Sequence, residues 1–135
     1  MAQAESIAVE FTAAPEYVAV ARRVVEVVGA RAGLAPLQLE DLQIAVSEVC
    51  NRLVTAAHAA HAEGQAVTVR FWLEGDSVVA EMGGRGEPTA AALAHLLDDE
   101  FPTFLLRRLV DDVTLTQTPH GPVLRLLKKR QGPLP

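Results

Sequence analysis

Charged side chains with a spacing suited to chemistry lie in residues 41–55. Asp41, Glu48, Arg52 and Thr55 are seven, four and three positions apart, which places them on one face of a helix. Arg52 has only hydrogen-bond donors and a permanent positive charge, so it cannot ligate a cation but could bind phosphate. The simpler alternative is an i,i+4 ion pair between Glu48 and Arg52, worth about 0.3–0.5 kcal/mol on a solvated helix face.

A second candidate segment is the glycine-rich stretch after a predicted strand. Gly83, Gly84 and Gly86 follow Met82 within four positions. Glycines allow a backbone to approach a ligand closely, because they carry no Cβ atom. Glycines at a strand end are also typical of an ordinary turn, and the sequence leaves both interpretations open.

These two segments resemble the N-box and the first glycine box of the GHKL ATPase superfamily. The resemblance is to its small anti-sigma-factor serine kinases, which carry A-V-S-E-x-x-T-N on a helix and D-x-G-x-G after a strand. A third segment, Leu106–Val113, is similar to the R-R-L-V-D-x-V of the same proteins, and the resemblance extends from Ile7 to Lys128. The matching helical residues here are Ala45-Val46-Ser47-Glu48-Val49-Cys50-Asn51-Arg52.

The resemblance implies a site whose ligand-binding groups are largely replaced. Glu48 matches the glutamate that acts as general base or positions a water molecule. Arg52 stands where the family has its magnesium-binding asparagine, and Met82 stands where it has the aspartate that reads adenine. Met82 has no comparable acceptor, although it could pack against a purine ring. Gly84 and Gly86 match the two glycines. We assign Glu48 as the candidate catalytic residue and the other four as candidate cofactor-binding positions, with no metal ligand.

The phosphate cradle of the family is also altered. Its G-x-G-L motif corresponds to residues 100–105 here, which contain no glycine, and Pro102 removes one amide donor. The late glycine-threonine motif of the family is half kept, as Gly121 followed by Pro122. Asp98, Asp99 and Glu100 would repel a triphosphate. From these differences we predict that ATP with Mg²⁺ binds weakly or not at all.

The function implied by the resemblance is regulation of transcription by protein binding. Such proteins bind a sigma factor and release it to an antagonist protein, and the partner surface is expected on the first and second helices and nearby loops. We predict an anti-sigma-type protein with weak or no kinase activity. One alternative is a Mg-ATP-dependent serine/threonine kinase that phosphorylates the antagonist; another is an interaction protein of the same fold with no sigma partner. Family members often form homodimers, which makes a homodimer a further expectation.

Composition excludes some other classes of protein. The net charge of −5 argues against direct nucleic-acid binding. No apolar run approaches the roughly 20 residues needed to span a bilayer, and the first residues lack a secretory signal, so we predict a cytoplasmic protein. The single cysteine, Cys50, is predicted to be a buried thiol. His58 and His61 could form a metal pair, but without a third ligand nearby we expect solvated or capping histidines.

The hydrophobic pattern predicts an α+β fold in one domain over residues 1–130, with a disordered tail at 131–135. The predicted helices are too few to alternate with the strands, which favours a two-layer sandwich. In this architecture a mixed, mainly antiparallel sheet carries the helices on one face. The resemblance implies the same arrangement, the Bergerat-type ATPase fold. The predicted strands are Ser6–Thr12, Ala66–Glu74, Ser77–Met82, Asp112–Thr118 and Val123–Lys128. The predicted helices begin at Pro15 (ending by Gly33), at Pro36 (ending near Ala62, with Gly64 as its stop) and at Pro102.

Overall fold

The protein is described by a computed structural model over residues 5–62 and 64–130. The predicted disordered tail, 131–135, lies outside these residues. A short 3-10 turn over Pro15–Tyr17 precedes the first helix. In chain order the elements are β1 (Ser6–Thr12), α1 (Val18–Ala32), α2 (Pro36–Ala59), β2 (Ala66–Glu74), β3 (Ser77–Gly84), α3 (Glu87–Leu96), α4 (Glu100–Leu109), β4 (Asp112–Thr118) and β5 (Gly121–Lys129).

The five strands form one sheet in the order β1-β2-β3-β5-β4. Every pairing among them is antiparallel, so the predicted mixed character of the sheet is not found in the described strands. One cross-strand row, Val69, Met82 and Leu124, is fully buried beneath the helices. The α+β class and the helices on one face agree with the prediction, because Val67, Val69 and Phe71 alternate along β2 and are fully buried.

Helix α2 is the central helix of the layer, with α1 on one side and α3 on the other. The apolar residues that recur along it at helical spacing predict its core-facing stripe, and all are buried apart from the half-buried Ala56: Leu42, Ala45, Val46, Val49, Leu53 and Ala56. The helix buries more residues than the stripe because its neighbours also cover its flanks. These additional buried residues are Ser47, Cys50, Val54 and Ala57.

The sequence-based prediction missed one helix, α3. The predicted helices begin at Pro15, Pro36 and Pro102, and none covers the acidic, alanine-rich residues 87–100. Pro88 stands in the first turn, where its missing N–H costs nothing, and the alanines that follow favour a helix. Leu93 and Leu96 bury this helix against the core, which supplies the stabilisation that a ten-residue helix lacks on its own.

The predicted end of α1, at Gly33, is confirmed, whereas α2 ends earlier than predicted. Gly29, the first of the two glycines expected near the end of α1, lies inside the helix, buried against the side chain of Leu39. Gly33, with φ of 81°, ends α1. Helix α2 ends at Ala59, earlier than predicted, because His61 takes the left-handed conformation with φ of 55° and the Ala62 N–H donates to the carbonyl of Ala57 at 2.7 Å.

Candidate functional site

The two charged residues of α2 meet across one helical turn. Nε of Arg52 donates to Oε2 of Glu48 at 2.8 Å, and the two side chains are 36% and 26% exposed. The pattern of α2 predicts this contact, because residues four apart are neighbours on a helix surface. Both groups are therefore already partnered.

A second carboxylate lies on the other side of the same guanidinium. Oδ2 of Asp99, the residue before α4, is 4.0 Å from an amino nitrogen of Arg52. No pattern in the sequence predicts this approach, because it depends on how α4 packs on α2. Arg52 is thus held between two acidic groups, and Glu100 follows immediately. Negative charge around this position opposes the approach of a polyphosphate.

Met82 lies on the helix-facing side of β3 and is fully buried. Its backbone is paired with Val69 on one side and Leu124 on the other. The thioether therefore packs in the apolar core. No atom of Met82 is accessible to a ligand in this arrangement, and a thioether is at most a weak hydrogen-bond acceptor.

Side chains of the protein itself occupy the space beside two of the glycines that follow Met82. A Cβ atom placed on Gly84 would lie 2.7 Å from both Cβ and Oγ1 of Thr89. Gly86, with φ of 101°, contacts the side-chain amide of Gln65, and its carbonyl accepts from Oγ1 of Thr89 at 3.1 Å. Sequence reasoning missed Thr89 and Gln65. A threonine three residues after a glycine at a helix start would have been a usable signal for the first of them.

The remaining candidate residues do not join this site. His58 lies 3.1 Å from the carbonyl oxygen of Ala13, and His61 ends α2. Cys50 is buried, and burial raises the pKa of its thiol to about 12. Over residues 5–62 and 64–130 no group of three or more acidic, histidine or cysteine side chains could hold a metal ion. None of the helices in these ranges is long and apolar enough to cross a membrane.

The fit of this site to Mg-ATP can be judged from its donors and acceptors. Mg²⁺ requires oxygen ligands, and Arg52 offers none. Adenine recognition requires an accessible acceptor, and Met82 is buried. Among the side chains at the matching positions 48, 52 and 82, only Glu48 is the residue type that the family carries. Its carboxylate accepts a hydrogen bond from Arg52. By these criteria the residues present do not fit the nucleotide with its metal.

Comparison with known proteins assigns the chain to a family. The model of the histidine kinase-like ATPase domain matches residues 11–128. The chain belongs to this family, and the five-stranded sheet with helices on one face is its fold.

The relatives narrow the assignment to one branch. Serine-protein kinase RsbW of Bacillus pumilus is 31% identical over 122 residues, covering 79% of this chain and 75% of the relative. Serine-protein kinase RsbW of Oceanobacillus iheyensis is 28% identical, covering 95% of this chain and 89% of the relative. These relatives place the chain in the anti-sigma-factor serine kinase branch.

A solved structure agrees with the fold. The RsbU and RsbW domains of Rv1364c from Mycobacterium tuberculosis give a TM-score of 0.69 at 18% identity. The match covers 96% of this chain and 33% of the longer mycobacterial chain. At this identity the likeness shows the fold alone.

Proposed function

We propose that the protein is an anti-sigma-factor-type regulator that acts by protein–protein binding, with a degraded ATP site and weak or no kinase activity. The observation that carries the proposal is the Glu48–Arg52 contact of 2.8 Å. Arg52 stands at the position that matches the family's magnesium ligand, and it engages the carboxylate that matches the family's base. One substitution therefore removes a metal ligand and occupies a catalytic group.

Two further features support loss of the nucleotide. Met82 matches the adenine-reading aspartate but lies in the core, and a polar base edge left without a partner costs about 1–3 kcal/mol. In the segment that matches the phosphate cradle there is no glycine, Pro102 lacks a backbone amide donor, and Phe101 adds a bulky side chain. These losses concern different parts of the ligand. We expect them to add, because the groups share no partner.

The surface that supports partner binding lies on α1 and α2. Tyr17, in the turn before α1, and Val20 and Val27 of α1 are exposed, and they recur with Val24 at steps of three and four. This stripe is separate from the one that α1 buries in the core. Leu37 and Ile44 of α2 are also exposed. An apolar stripe of this kind on a helix suits docking against another protein.

The proposed partners are a sigma factor, an antagonist protein that releases it, or both, and the proposed location is the cytoplasm. A kinase that phosphorylates the antagonist with Mg-ATP is the second candidate. It is favoured by the relatives, which are serine-protein kinases, and by retention of Glu48. In that case Glu48 and Arg52 act in altered roles, and the ion pair must open when nucleotide binds.

Binding and phosphoryl transfer decide between the two candidates. Each sigma factor and each small antagonist-type protein of the source organism is purified and titrated with the protein, with and without Mg-ATP. The proposal expects a complex whose affinity is unchanged by nucleotide, and no transfer of labelled phosphate to an antagonist. Transfer at a rate typical of kinases, on the order of 1 s⁻¹, would favour the second candidate. Absence of any complex would overturn both.

A restored variant provides the matched control for nucleotide. It combines Arg52→Asn, Met82→Asp and a glycine-bearing replacement of residues 101–103. We expect magnesium-dependent ATP binding only from the combination, because each group contacts a different part of the nucleotide. If Arg52→Asn alone gives tight binding, the account of the site is wrong.

A further inference from the structure

Strand β1 lies at one edge of the sheet and pairs with β2 on one side only. Beyond the end of β1, the N–H of Ala13 donates to the carbonyl of Gln65 at 2.8 Å, which continues the β1–β2 register. In an antiparallel ladder, hydrogen-bonded pairs alternate with unbonded pairs, so every second residue counted back from Ala13 bonds to β2. The residues between them direct their backbone N–H and carbonyl groups to the free edge: Ser6, Ala8 and Glu10.

This row of backbone groups is open to another chain. In the part of the chain that the structure describes, no other protein group hydrogen-bonds to the N–H and carbonyl groups of these three residues. The free stretch ends at Thr12, whose carbonyl accepts from the N–H of Ala14 at 2.7 Å. Proteins commonly protect edge strands with lysine, proline or a bulge. Strand β1 contains neither residue type, and its register with β2 runs without a bulge.

The apolar side of β1 is also incompletely covered. Helix α1 lies over β2 and β3 rather than over β1. Ile7 is 43% exposed, and Val9 and Phe11 are only half-buried. At the opposite edge of the sheet, α4 packs on β4, where Val113 is buried. The apolar face of the sheet therefore extends one strand beyond its helical cover at β1.

A groove of about 670 Å³ lies at the same edge, between the start of β1 and the C-terminal half of α1. Three exposed apolar side chains line it: Ile7, Val27 and Leu73. Glu5 and Arg31 also line the groove, and their charged groups are 3.3 Å apart. An apolar side chain from a strand placed beside β1 would enter this groove next to Ile7.

We propose that β1 binds an extended segment of a partner protein, which pairs antiparallel with β1 and adds a strand to the sheet. Antiparallel pairing continues the pattern of the sheet and is the more stable arrangement per residue. Alternate residues of the segment are apolar and cover Ile7, Val9 and Phe11. The intervening residues are polar and include a lysine or arginine. These lie beside the half-exposed carboxylate of Glu10, which Arg85 contacts through one oxygen at 3.1 Å.

A basic partner segment fits this edge better than other occupants do. A second copy of the chain would bring together two molecules with a net charge of −5 each, which opposes self-pairing. A lipid surface would leave the free backbone groups of β1 without partners. The inference does not rest on the proposed function, because the site is at the sheet edge and shares only Val27 with the stripe on α1. Its failure leaves that function untouched.

A labelled seven-residue peptide that alternates valine with threonine and lysine is the probe, and fluorescence anisotropy measures its binding. We expect Kd on the order of 100 µM, because a single strand buries less than the roughly 1,200 Å² of a standard interface. Ala8→Pro is expected to weaken binding at least about tenfold. Proline removes an N–H at the free edge but none from the β1–β2 ladder. Ala8→Thr keeps the N–H and is the matched control, expected to bind as the wild type does.

Two further measurements test the side chains. Ile7→Ser keeps every backbone group and is expected to weaken binding about fivefold, because it removes apolar surface from the groove. A peptide with glutamate in place of lysine is expected to bind more weakly than the original, because it faces Glu10. Melting temperature and circular dichroism establish that each variant is folded.

Three outcomes would overturn the proposal. The first is no peptide binding at about 1 mM protein. The second is equal peptide binding by the wild type and by the folded Ala8→Pro and Ile7→Ser variants. The third is a wild-type dimer that Ala8→Pro dissociates while no peptide binds, since the occupant of the edge would then be a second copy. Sedimentation equilibrium detects such a dimer.

Discussion

Replacement of Lys128 by methionine tests the packing that positions α4. Lys128 is on the helix-facing side of β5, and its side chain is only 7% exposed. Its ammonium group donates to the backbone carbonyl of Leu109, at the end of α4, at 2.7 Å. It also lies 3.6 Å from Oδ2 of Asp41 on α2. One buried lysine therefore connects β5, α4 and α2.

The size of the effect follows from these two contacts. Loss of a charge-assisted hydrogen bond to a partly buried carbonyl costs about 1.5–3 kcal/mol, because the carbonyl then lacks a partner. The contact with Asp41 adds less than about 1 kcal/mol, since that carboxylate is 39% exposed and solvent screens it. Methionine keeps the apolar part of the lysine stem and restores some of the loss. We therefore expect Lys128→Met to lower the free energy of unfolding by about 2–3 kcal/mol.

Urea denaturation followed by circular dichroism measures this change, with a fall in melting temperature of roughly 10 °C as a second readout. Lys129→Met is the matched control, because Lys129 is the next residue of the same strand but exposed. It is expected to change stability by less than about 0.5 kcal/mol. Equal effects of the two substitutions, or a loss below about 0.5 kcal/mol for Lys128→Met, would show that the contacts of Lys128 do not stabilise the packing of α4.

Three further predictions concern single residues. Gly84→Ala is expected to lower the free energy of unfolding, measured by urea denaturation, by about 1–3 kcal/mol, because the new Cβ would overlap the buried Thr89. Gly64→Ala is the control and is expected to be nearly neutral, because Gly64 faces open space. His61→Gly is expected to raise the free energy of unfolding by about 0.5–1 kcal/mol, since φ is 55° there; a decrease would contradict this. Cys50 is expected to resist iodoacetamide at pH 9 until urea unfolds the chain. Because burial raises the pKa of this thiol from 9.0 to about 12, its contribution to stability is complete below pH 9 and is lost as the pH rises towards 12.

Much of the fold could be predicted because local patterns and tertiary packing agree. Strand β1 and the starts of β2 and α2 were predicted at their observed residues, since alternation and Pro36 act locally. Helix α3 was missed because its acidic, alanine-rich sequence has only two buried leucines to indicate a face. The end of α2 was misplaced because an ordinary histidine, and not Gly64, adopts the left-handed conformation.

Contacts of the candidate site within one element could be predicted from the sequence, whereas contacts between elements could not. The Glu48–Arg52 contact was predictable from a spacing of four residues on one helix. The approach of Asp99 was not, because it depends on where α4 lies relative to α2. The burial of Met82 could be inferred from its place in β3. Gln65 and Thr89 beside the glycines could not, because Gln65 is distant in sequence and Thr89 lies on the helix that was not predicted.

Binding of Mg-ATP to the unmodified protein distinguishes a degraded ATP site from a working one. Isothermal titration calorimetry with saturating Mg-ATP, supported by a thermal shift, measures it. We expect Kd near or above about 1 mM, equivalent to no more than about 4 kcal/mol of binding free energy. Micromolar binding, with a thermal shift equivalent to several kcal/mol of ligand-linked stabilisation, would contradict the degraded site and favour an active kinase.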